Sequence, residues 1–171
     1  MACLQKISNA ISYDCSNGFV GFSQVAMINK ADIQSFTVDA SKVVTTWDIG
    51  SGVLYGVASQ KKGFSVSETV RVNDGAPNAY THEVTITVYE KENPLLFNQL
   101  ANGNVVIIAK RSTHCRIYGL FYGLQPTASS MNSNENGGWA TFTFTTPEGV
   151  IGEDYLTVKD TLYDAIFKAV V

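Results

Sequence analysis

The side chains best suited to metal or nucleophilic chemistry are scattered along this sequence. The two histidines are His82 and His114, and neither has another potential metal ligand four residues away. His114 and Cys115 are adjacent in a predicted strand, where neighbouring side chains point to opposite faces and do not share one ion. The sequence also lacks a Gly-x-Ser-x-Gly nucleophile motif. These patterns predict neither a metal site nor a nucleophilic active site.

Carboxylates cluster near the carboxyl end of the sequence, at Glu148, Glu153 and Asp154. A hydrolase that cleaves glycosides needs such a pair of carboxylates. However, Pro147 and Gly149 flank Glu148 and predict a turn, which makes a solvated acidic edge the simpler interpretation. We therefore expect that the protein is not an enzyme and uses no cofactor.

Aromatic residues are the other candidates for recognition. Tyr118, Phe121, Tyr122 and Trp139 have rings that could stack on a sugar or a base. Packing in a core or at a subunit interface explains the same residues, because aromatic side chains bury large areas. Both interpretations follow from the residue types alone.

The elements that would position these side chains centre on residues 83–124. Residues 83–90 alternate β-branched and polar residues, which predicts a half-buried strand. Asn93 and Pro94 are typical of a helix start, and Asn102-Gly103 of a helix end. The apolar run 105–109 predicts a strand buried on both faces, and 116–124 its hairpin partner. No group of side chains in this unit is arranged for catalysis, so we interpret residues 83–124 as a structural framework.

The remaining patterns predict about nine short strands and two helices in all. The second helix begins at Asp160 and keeps helical spacing of apolar residues to Val170. The predicted fold class is mainly β, a β-sandwich or barrel with one short helix between strands and a C-terminal helix. Residues 19–171 form one predicted domain, preceded by an extended arm at 1–18. The predicted core contains Val84, Ile86, Val88, Val105, Ile107, Phe142 and Phe144.

Composition points toward contacts with other chains. Of the 171 residues 45% are hydrophobic and only 16% are charged, against about 25% charged in a usual domain. The net charge is −3 and there is no run of Lys or Arg, so the sequence lacks the cluster of positive charge that is typical of nucleic-acid-binding proteins. No apolar stretch has the length of a membrane span, and the first residues do not fit a signal peptide. Three cysteines without metal spacing suggest reduced thiols, although a Cys3–Cys15 disulfide stays open.

Candidate inter-subunit contacts lie in the arm and in two polar segments. The arm is poorly patterned, and we expect it to gain order by lying on an adjacent subunit. Residues 73–80 are too long for a tight hairpin and form a candidate contact loop, and residues 125–138 form a second predicted loop. The candidate contact residues are Leu4, Ile7, Ile11, Tyr13, Asp74, Gly75, Pro77, Tyr80, Met131 and Trp139.

Several motifs resemble those of a known family. The opening Met-Ala-Cys-Leu, Cys15 and the glycines Gly18 and Gly21 resemble the start of uncharacterised structural proteins in phages of Bacteroidetes hosts. The stretch VTITVYEKENPLLFNQLANGNVVIIAK, at 84–110, resembles the strand–helix–strand of phage tail tube (major tail) proteins. Tyr-Gly-Leu-x-x-Gly-Leu, a polar segment, Gly-Gly and Phe-Thr-Phe-Thr continue the resemblance to about residue 158. The helix predicted at 160–170 departs from the family.

The resemblance implies a β-sandwich whose sheet joins its neighbours into a hexameric ring, with stacked rings forming a channel for DNA. It implies no catalysis. The implied partners are further copies of the chain, other tail or connector proteins of the virion, and genomic DNA passing non-specifically. The protein would be assembled in the host cytoplasm and located in the virion. An acidic chain without a basic stripe suits a channel that does not retain DNA. The alternative is a carbohydrate- or receptor-binding β-sandwich of the fibre or adhesin type, binding through Tyr122 or Trp139.

Overall fold

The computed structural model describes residues 24–57, 64–71, 79–89, 94–110, 115–132, 139–150, 156–158, 162 and 165–166. The described residues are mainly β, as predicted, and contain the α-helix Pro94–Asn102 and a short 3-10 helix at Lys30–Asp32. The strands and the helix are β1 Gln24–Asn29, β2 Ser35–Val38, β3 Val43–Asp48, β4 Tyr55–Val57, β5 Phe64–Arg71, β6 Ala79–Tyr89, α1 Pro94–Asn102, β7 Val105–Lys110, β8 Cys115–Tyr118, β9 Gln125–Asn132, β10 Trp139–Thr145 and β11 Leu156–Val158.

These strands form two sheets. The large sheet has seven strands in the order β2-β3-β11-β8-β7-β1-β4, and the small sheet has four in the order β5-β6-β10-β9. Neighbouring strands are antiparallel in both sheets, except that β11 runs parallel to β3. Each sheet must bury an apolar face, and the two sheets do so against each other, as in a β-sandwich.

The core between the sheets is built by strict alternation. Val105, Ile107 and Ala109 of β7 face the small sheet, whereas Val106 and Ile108 face the opposite side of the large sheet. The prediction that this run is buried on both faces is confirmed. Six of the seven predicted core residues are also confirmed as buried; the side chain of Val88 lies outside the described set. The confirmed six are Val84, Ile86, Val105, Ile107, Phe142 and Phe144.

A second apolar layer covers the far side of the large sheet. Phe36 of β2 and Trp47 of β3 pack there against buried residues of β7, β8 and β11. Ile166 is buried in this layer and Leu162 packs against it. Leu162, Ala165 and Ile166 have helical backbone, as the predicted helix at 160–170 requires, and the rest of that helix lies outside the described residues.

Helix α1 lies where the sequence predicts it. It begins at Pro94, which has no N–H to leave unpaired at a first helical position, and it ends at Asn102 before Gly103. The Asn102 side chain donates a 2.9 Å hydrogen bond to the backbone oxygen of Asn98, one turn earlier. Leu100 packs against the core between the sheets, so α1 closes the sandwich beside β9 and β10.

Two predictions about residues 116–138 need correction. The predicted hairpin partner of β7 is confirmed as β8, but this strand ends at Tyr118 and not at Leu124, because Gly119 and Gly123 have φ of +79° and +77° and turn the chain. The segment expected to be a loop at 125–138 contains β9, which pairs with β10 along its length. Its serine-, threonine- and asparagine-rich composition reflects exposure at a sheet edge, and pairing with β10 overrides the low strand propensity.

Several predictions fall outside the described residues. The arm at 1–18 does so entirely, and the contact loop at 73–80 does so apart from Ala79 and Tyr80. The arm and the single domain at 19–171 therefore stay predictions.

Candidate assembly interface

The outer face of the small sheet is covered with hydroxyl side chains. Because Val84, Ile86, Phe142 and Phe144 face the core, the residues between them face outward. Arg71 and Glu83 are the charged side chains at the described outward positions of β5, β6 and β10. The serines and threonines at these positions are Ser65, Ser67, Thr69, Thr81, Thr85, Thr87, Thr141, Thr143 and Thr145, all exposed or half-buried. This face is polar and nearly neutral.

Threonine pairs fix the centre of this face. Thr85 lies opposite Thr143, with 3.4 Å between the hydroxyl oxygens, and Thr87 lies opposite Thr141 at 3.3 Å. The Thr127 hydroxyl on β9 donates a 3.3 Å bond to the backbone oxygen of Thr143. Cross-strand threonine pairs contribute to sheet stability, so these contacts help to hold β6 and β10 together on this face.

The small sheet ends in β5 on one side and β9 on the other. Within the described residues each of these strands pairs along one edge only, β5 with β6 and β9 with β10. Neither strand contains lysine, which often protects sheet edges from further pairing. Pro126 and a bulge interrupt β9 near its start, whereas the stretch from Ala128 to Asn132 is regular. In the described part of the chain, no further strand pairs with the outer edge of β5 or β9.

The turn between β8 and β9 holds two aromatic side chains at the surface. Its backbone is fixed by a 2.7 Å hydrogen bond from Gly123 N–H to the oxygen of Gly119. Leu120, within the turn, is fully buried. Phe121 is 44% exposed and Tyr122 is 49% exposed. The ring of Phe121 meets Phe36 edge to face, with 5.1 Å between centroids.

A buried histidine contacts both sheets at one end of the sandwich. His82 is only 1% exposed, and its Nε2 lies 2.7 Å from Oε2 of Glu68 on the neighbouring strand β5. The imidazole packs edge to face on Tyr118 of the large sheet. The His82 backbone N–H donates to the Thr146 hydroxyl at 3.0 Å. The pair ties the edge strand β5 into the core, and we interpret it as structural.

The structure separates the described candidate contact residues. Tyr80 lies on β6 opposite Val70, at the end of the small sheet where β5 stops. Met131 and Trp139 lie on β9 and β10, at the other end, where Met131 is opposite Ala140 and Trp139 opposite Asn132. The remaining candidates lie outside the described residues: Leu4, Ile7, Ile11, Tyr13, Asp74, Gly75 and Pro77.

Sequence reasoning missed the two edges and the exposed residues beside them. Val70 belongs to a clean strand pattern, which suggests burial, yet it is 45% exposed because β5 extends beyond the core. Tyr118 and Tyr122 occur in one aromatic run, yet only Tyr118 is buried. The paired glycines Gly119 and Gly123 were the available signal, since they mark a turn between the two tyrosines.

Comparisons with known proteins identify no family. No protein-family model, curated protein or solved structure matches the chain. The described residues contain no group of three or more His, Cys, Asp or Glu side chains that could hold a metal ion. No helix among them has the length and apolar character needed to cross a membrane.

Proposed function

We propose that this protein is a virion structural protein, a subunit of a phage tail tube or tail ring that assembles into a ring around a channel for DNA. The observation that carries the proposal is the small sheet, whose two edge strands, β5 and β9, run in opposite directions. The resemblance of residues 84–110 to tail tube proteins supports the same assignment.

The direction of the edges favours a ring. Successive strands of the small sheet alternate in direction, so β9 runs opposite to β5. When a second copy is placed beside the first by a rotation about an axis along the strands, its β5 meets β9 in antiparallel orientation. Repetition of one such heterologous contact closes into a ring when the rotation divides a full turn. Six copies would join about 24 strands, within the range of large closed barrels.

Ring closure would also determine which face lines the channel. The core-facing side of the small sheet is covered by the large sheet, a second layer about 10 Å away. In a closed ring this second layer would lie on the outside, where the circumference is larger. The hydroxyl face would then point inward. Glu83 and Arg71 nearly cancel in charge, so this face would neither hold nor strongly repel the DNA phosphates.

The proposal carries partners and a location with it. Other tail or connector proteins would cap and continue the ring, and DNA would pass without base contacts. Assembly would take place in the host cytoplasm, and the finished ring would belong to the virion. The proposed role includes no catalytic step.

Two adjacent proline substitutions test the β9 edge. Consecutive backbone N–H groups of a strand point to opposite edges. Ser129→Pro and Ser130→Pro each remove one backbone N–H group, so one of these substitutions removes a donor that faces β10 and the other removes a donor that faces the outer edge of β9. We expect the parent protein to form rings with a central channel in negative-stain microscopy. The variant whose lost N–H group faces the outer edge should keep the parent's melting temperature and fail to form rings. A parent that sediments only as a monomer at high concentration would contradict the proposal, as would normal rings from both variants.

A second candidate function rests on the exposed pair Phe121 and Tyr122. Two rings on a rigid turn suit stacking on a sugar, which favours a carbohydrate-binding module of fibre or adhesin type. This function predicts a monomer or trimer whose binding to a glycan array is abolished by Tyr122→Ala. Particles of the size of the proposed subunit ring that bind no glycan would rule out this carbohydrate-binding function.

A further inference from the structure

Asn104, which precedes β7, joins the turn at 119–123 to the short 3-10 helix that follows β1. Its backbone oxygen accepts a 2.9 Å hydrogen bond from the Lys30 N–H, and its side-chain amide donates a 3.4 Å bond to the backbone oxygen of Tyr122. The turn is also anchored from inside, because Leu120 is fully buried. The backbones of Lys30 and Tyr122 are therefore held close to each other on either side of Asn104.

Aromatic rings connect the ammonium group of Lys30 to the exposed part of the turn. The Lys30 Nζ atom lies 5.7 Å from the centroid of the Phe36 ring, within the range of a cation–π interaction. The Phe36 ring in turn meets Phe121 edge to face, with 5.1 Å between centroids. Phe121 is 44% exposed and its neighbour Tyr122 is 49% exposed. Lys30, Phe36, Phe121 and Tyr122 thus form one surface patch, which we call the Lys30 patch.

The positive charge of this patch is available to a ligand. Lys30 is half-buried, and its ammonium group forms no ion pair with any of the described residues. Asp32, the other charged side chain of the 3-10 helix, accepts a 3.0 Å hydrogen bond from the Asn29 amide. An anionic group that reached Lys30 would form a charge-assisted hydrogen bond with it, about twice as strong as a neutral one.

The groups of the Lys30 patch define the chemistry of a suitable ligand. Exposed aromatic rings bind flat, largely apolar surfaces such as the C–H face of a pyranose sugar. One lysine pairs with one carboxylate, so a sugar that carries a single acidic group satisfies both requirements. Nucleic acid fits less well, since its binding relies on several positive side chains along the phosphates. The chain instead has a net charge of −3 and no run of Lys or Arg.

We propose that the Lys30 patch binds a carboxylated sugar, such as a uronic or sialic acid residue of a polysaccharide. The sugar ring would stack on the aromatic rings of the turn, and its carboxylate would pair with Lys30. The inference goes beyond the proposed subunit ring and rests on the second candidate function, to which it adds the class of ligand. Because Phe36 links Lys30 to the turn, the patch would discriminate acidic sugars from neutral ones.

Acidic sugars and their methyl esters test the charge requirement. The probes are trigalacturonate and sialyllactose, each compared with its methyl ester by calorimetric titration into the full chain. Methyl esterification removes the negative charge and leaves the sugar rings in place. We expect at least one of the acids to bind about tenfold more tightly than its ester. This preference should shrink as the salt concentration rises.

Lysine variants test which positive charge is responsible. Lys30→Met removes the charge but keeps a long apolar side chain beside Phe36, so the acid should then bind no more tightly than its ester. Lys30→Arg keeps the charge and should keep the preference. Lys42→Met, in the exposed turn between β2 and β3, makes the same change of net charge outside the patch and should leave the preference unchanged. Melting temperatures of the three variants check that each is folded.

The outcomes separate this inference from the carbohydrate-binding function and from the subunit ring. Equal binding of acid and ester that Tyr122→Ala abolishes would overturn the charge requirement and leave the carbohydrate-binding function standing. Absence of binding by all four sugars would overturn both, whereas ring formation is measured separately by microscopy. Equal loss from Lys30→Met and Lys42→Met would also overturn the inference, since the net charge of the chain would then select the acid. Binding of oligodeoxythymidylate in place of the sugars would identify a base-stacking site instead.

Discussion

At the scale of single residues, β7 shows how narrow the tolerance of the core is. Its side chains contribute alternately to the two apolar layers, so each methyl group has a neighbour on whichever face it points to. Close-packed interiors leave little freedom to refill a lost volume. A truncating substitution in β7 should therefore leave a cavity in whichever of the two apolar layers its side chain faces.

Ile107→Ala should lower the free energy of unfolding by about 2–5 kcal/mol, through lost burial and a residual cavity. Ile107 is fully buried between the sheets. Denaturant titration measures the change, and Val53→Ala, at an exposed site, serves as the control. A loss smaller than about 1 kcal/mol for Ile107→Ala would mean that the strand is not central to the core.

Cys115 gives a prediction about alkaline pH. Burial raises the pKa of its thiol from 9.0 to about 12, and the positive charge of Lys110 only partly opposes this. The folded state thus keeps a proton that the unfolded chain loses above pH 9. Stability from this group should be complete below pH 9 and fall as the pH rises toward 12. Urea titrations should show a steeper alkaline loss for the parent than for Cys115→Ala; equal slopes would contradict the assignment.

At the scale of elements, local pattern was sufficient for the elements that bury at least one face. The run 105–109, the Pro94 start of α1 and the alternation of 140–145 each carry a periodic signal, and each prediction is confirmed. The strand β9 could not be predicted, because its polar residues at an edge look like a loop until β10 is seen beside them. The positions of β5 and β9 at the edges of the small sheet and the exposure of Tyr122 depend on the order of strands in the sheets, which comes from pairings distant in sequence.

The loop between β5 and β6 is predicted to stack one ring on the next. The strands remain paired as far as Arg71 and Ala79, so the sheet does not need a long connection. Replacing residues 74–77 by Asn-Gly, a turn that hairpins favour, should preserve melting temperature and single rings but abolish tubes. Electron microscopy distinguishes these states. Normal tubes from the shortened protein would show that the loop makes no contact between stacked rings.

The arm at 1–18 is predicted to act on a neighbouring subunit. A chain that begins at Gly18 should fold as a monomer with nearly normal thermal stability but assemble poorly. Ordering the arm costs about 1–2 kcal/mol per residue, which only contacts of residues such as Leu4 and Ile7 with another chain would offset. Limited proteolysis should remove the arm quickly from free subunits and slowly from assemblies. Equal rates in the two states would show that it makes no such contact.

At the scale of the whole molecule, charge is the property that suits the proposed channel. The chain carries a net charge of −3, and its hydroxyl face holds Glu83 and Arg71 at the described outward positions. DNA affinity depends chiefly on phosphate neutralisation by positive side chains. A ring with this face inside should surround DNA without retaining it.

Glu83→Lys should convert the ring into a DNA-binding protein. The substitution leaves each subunit with two positive side chains on the hydroxyl face, so duplex DNA should be retarded in gels, with an affinity that falls steeply as salt rises. Glu148→Lys makes the same change of net charge at an exposed turn outside this face and should not bind. Equal binding by the two variants would show that the face does not meet DNA.

The position of β11 has a consequence for how the protein is made. This strand fills the gap between β3 and β8 in the large sheet, although Val43 and its partner Thr157 are separated by about 110 residues. While the ribosome is still translating the intervening stretch, β3 and β8 have no strand to join them, and the large sheet is two fragments. Completion of the sheet must wait until residues 156–158 have been made, which places a pairing of long sequence separation late in folding and makes that step slow. Chains in which β11 has not yet inserted would therefore be poor partners for assembly.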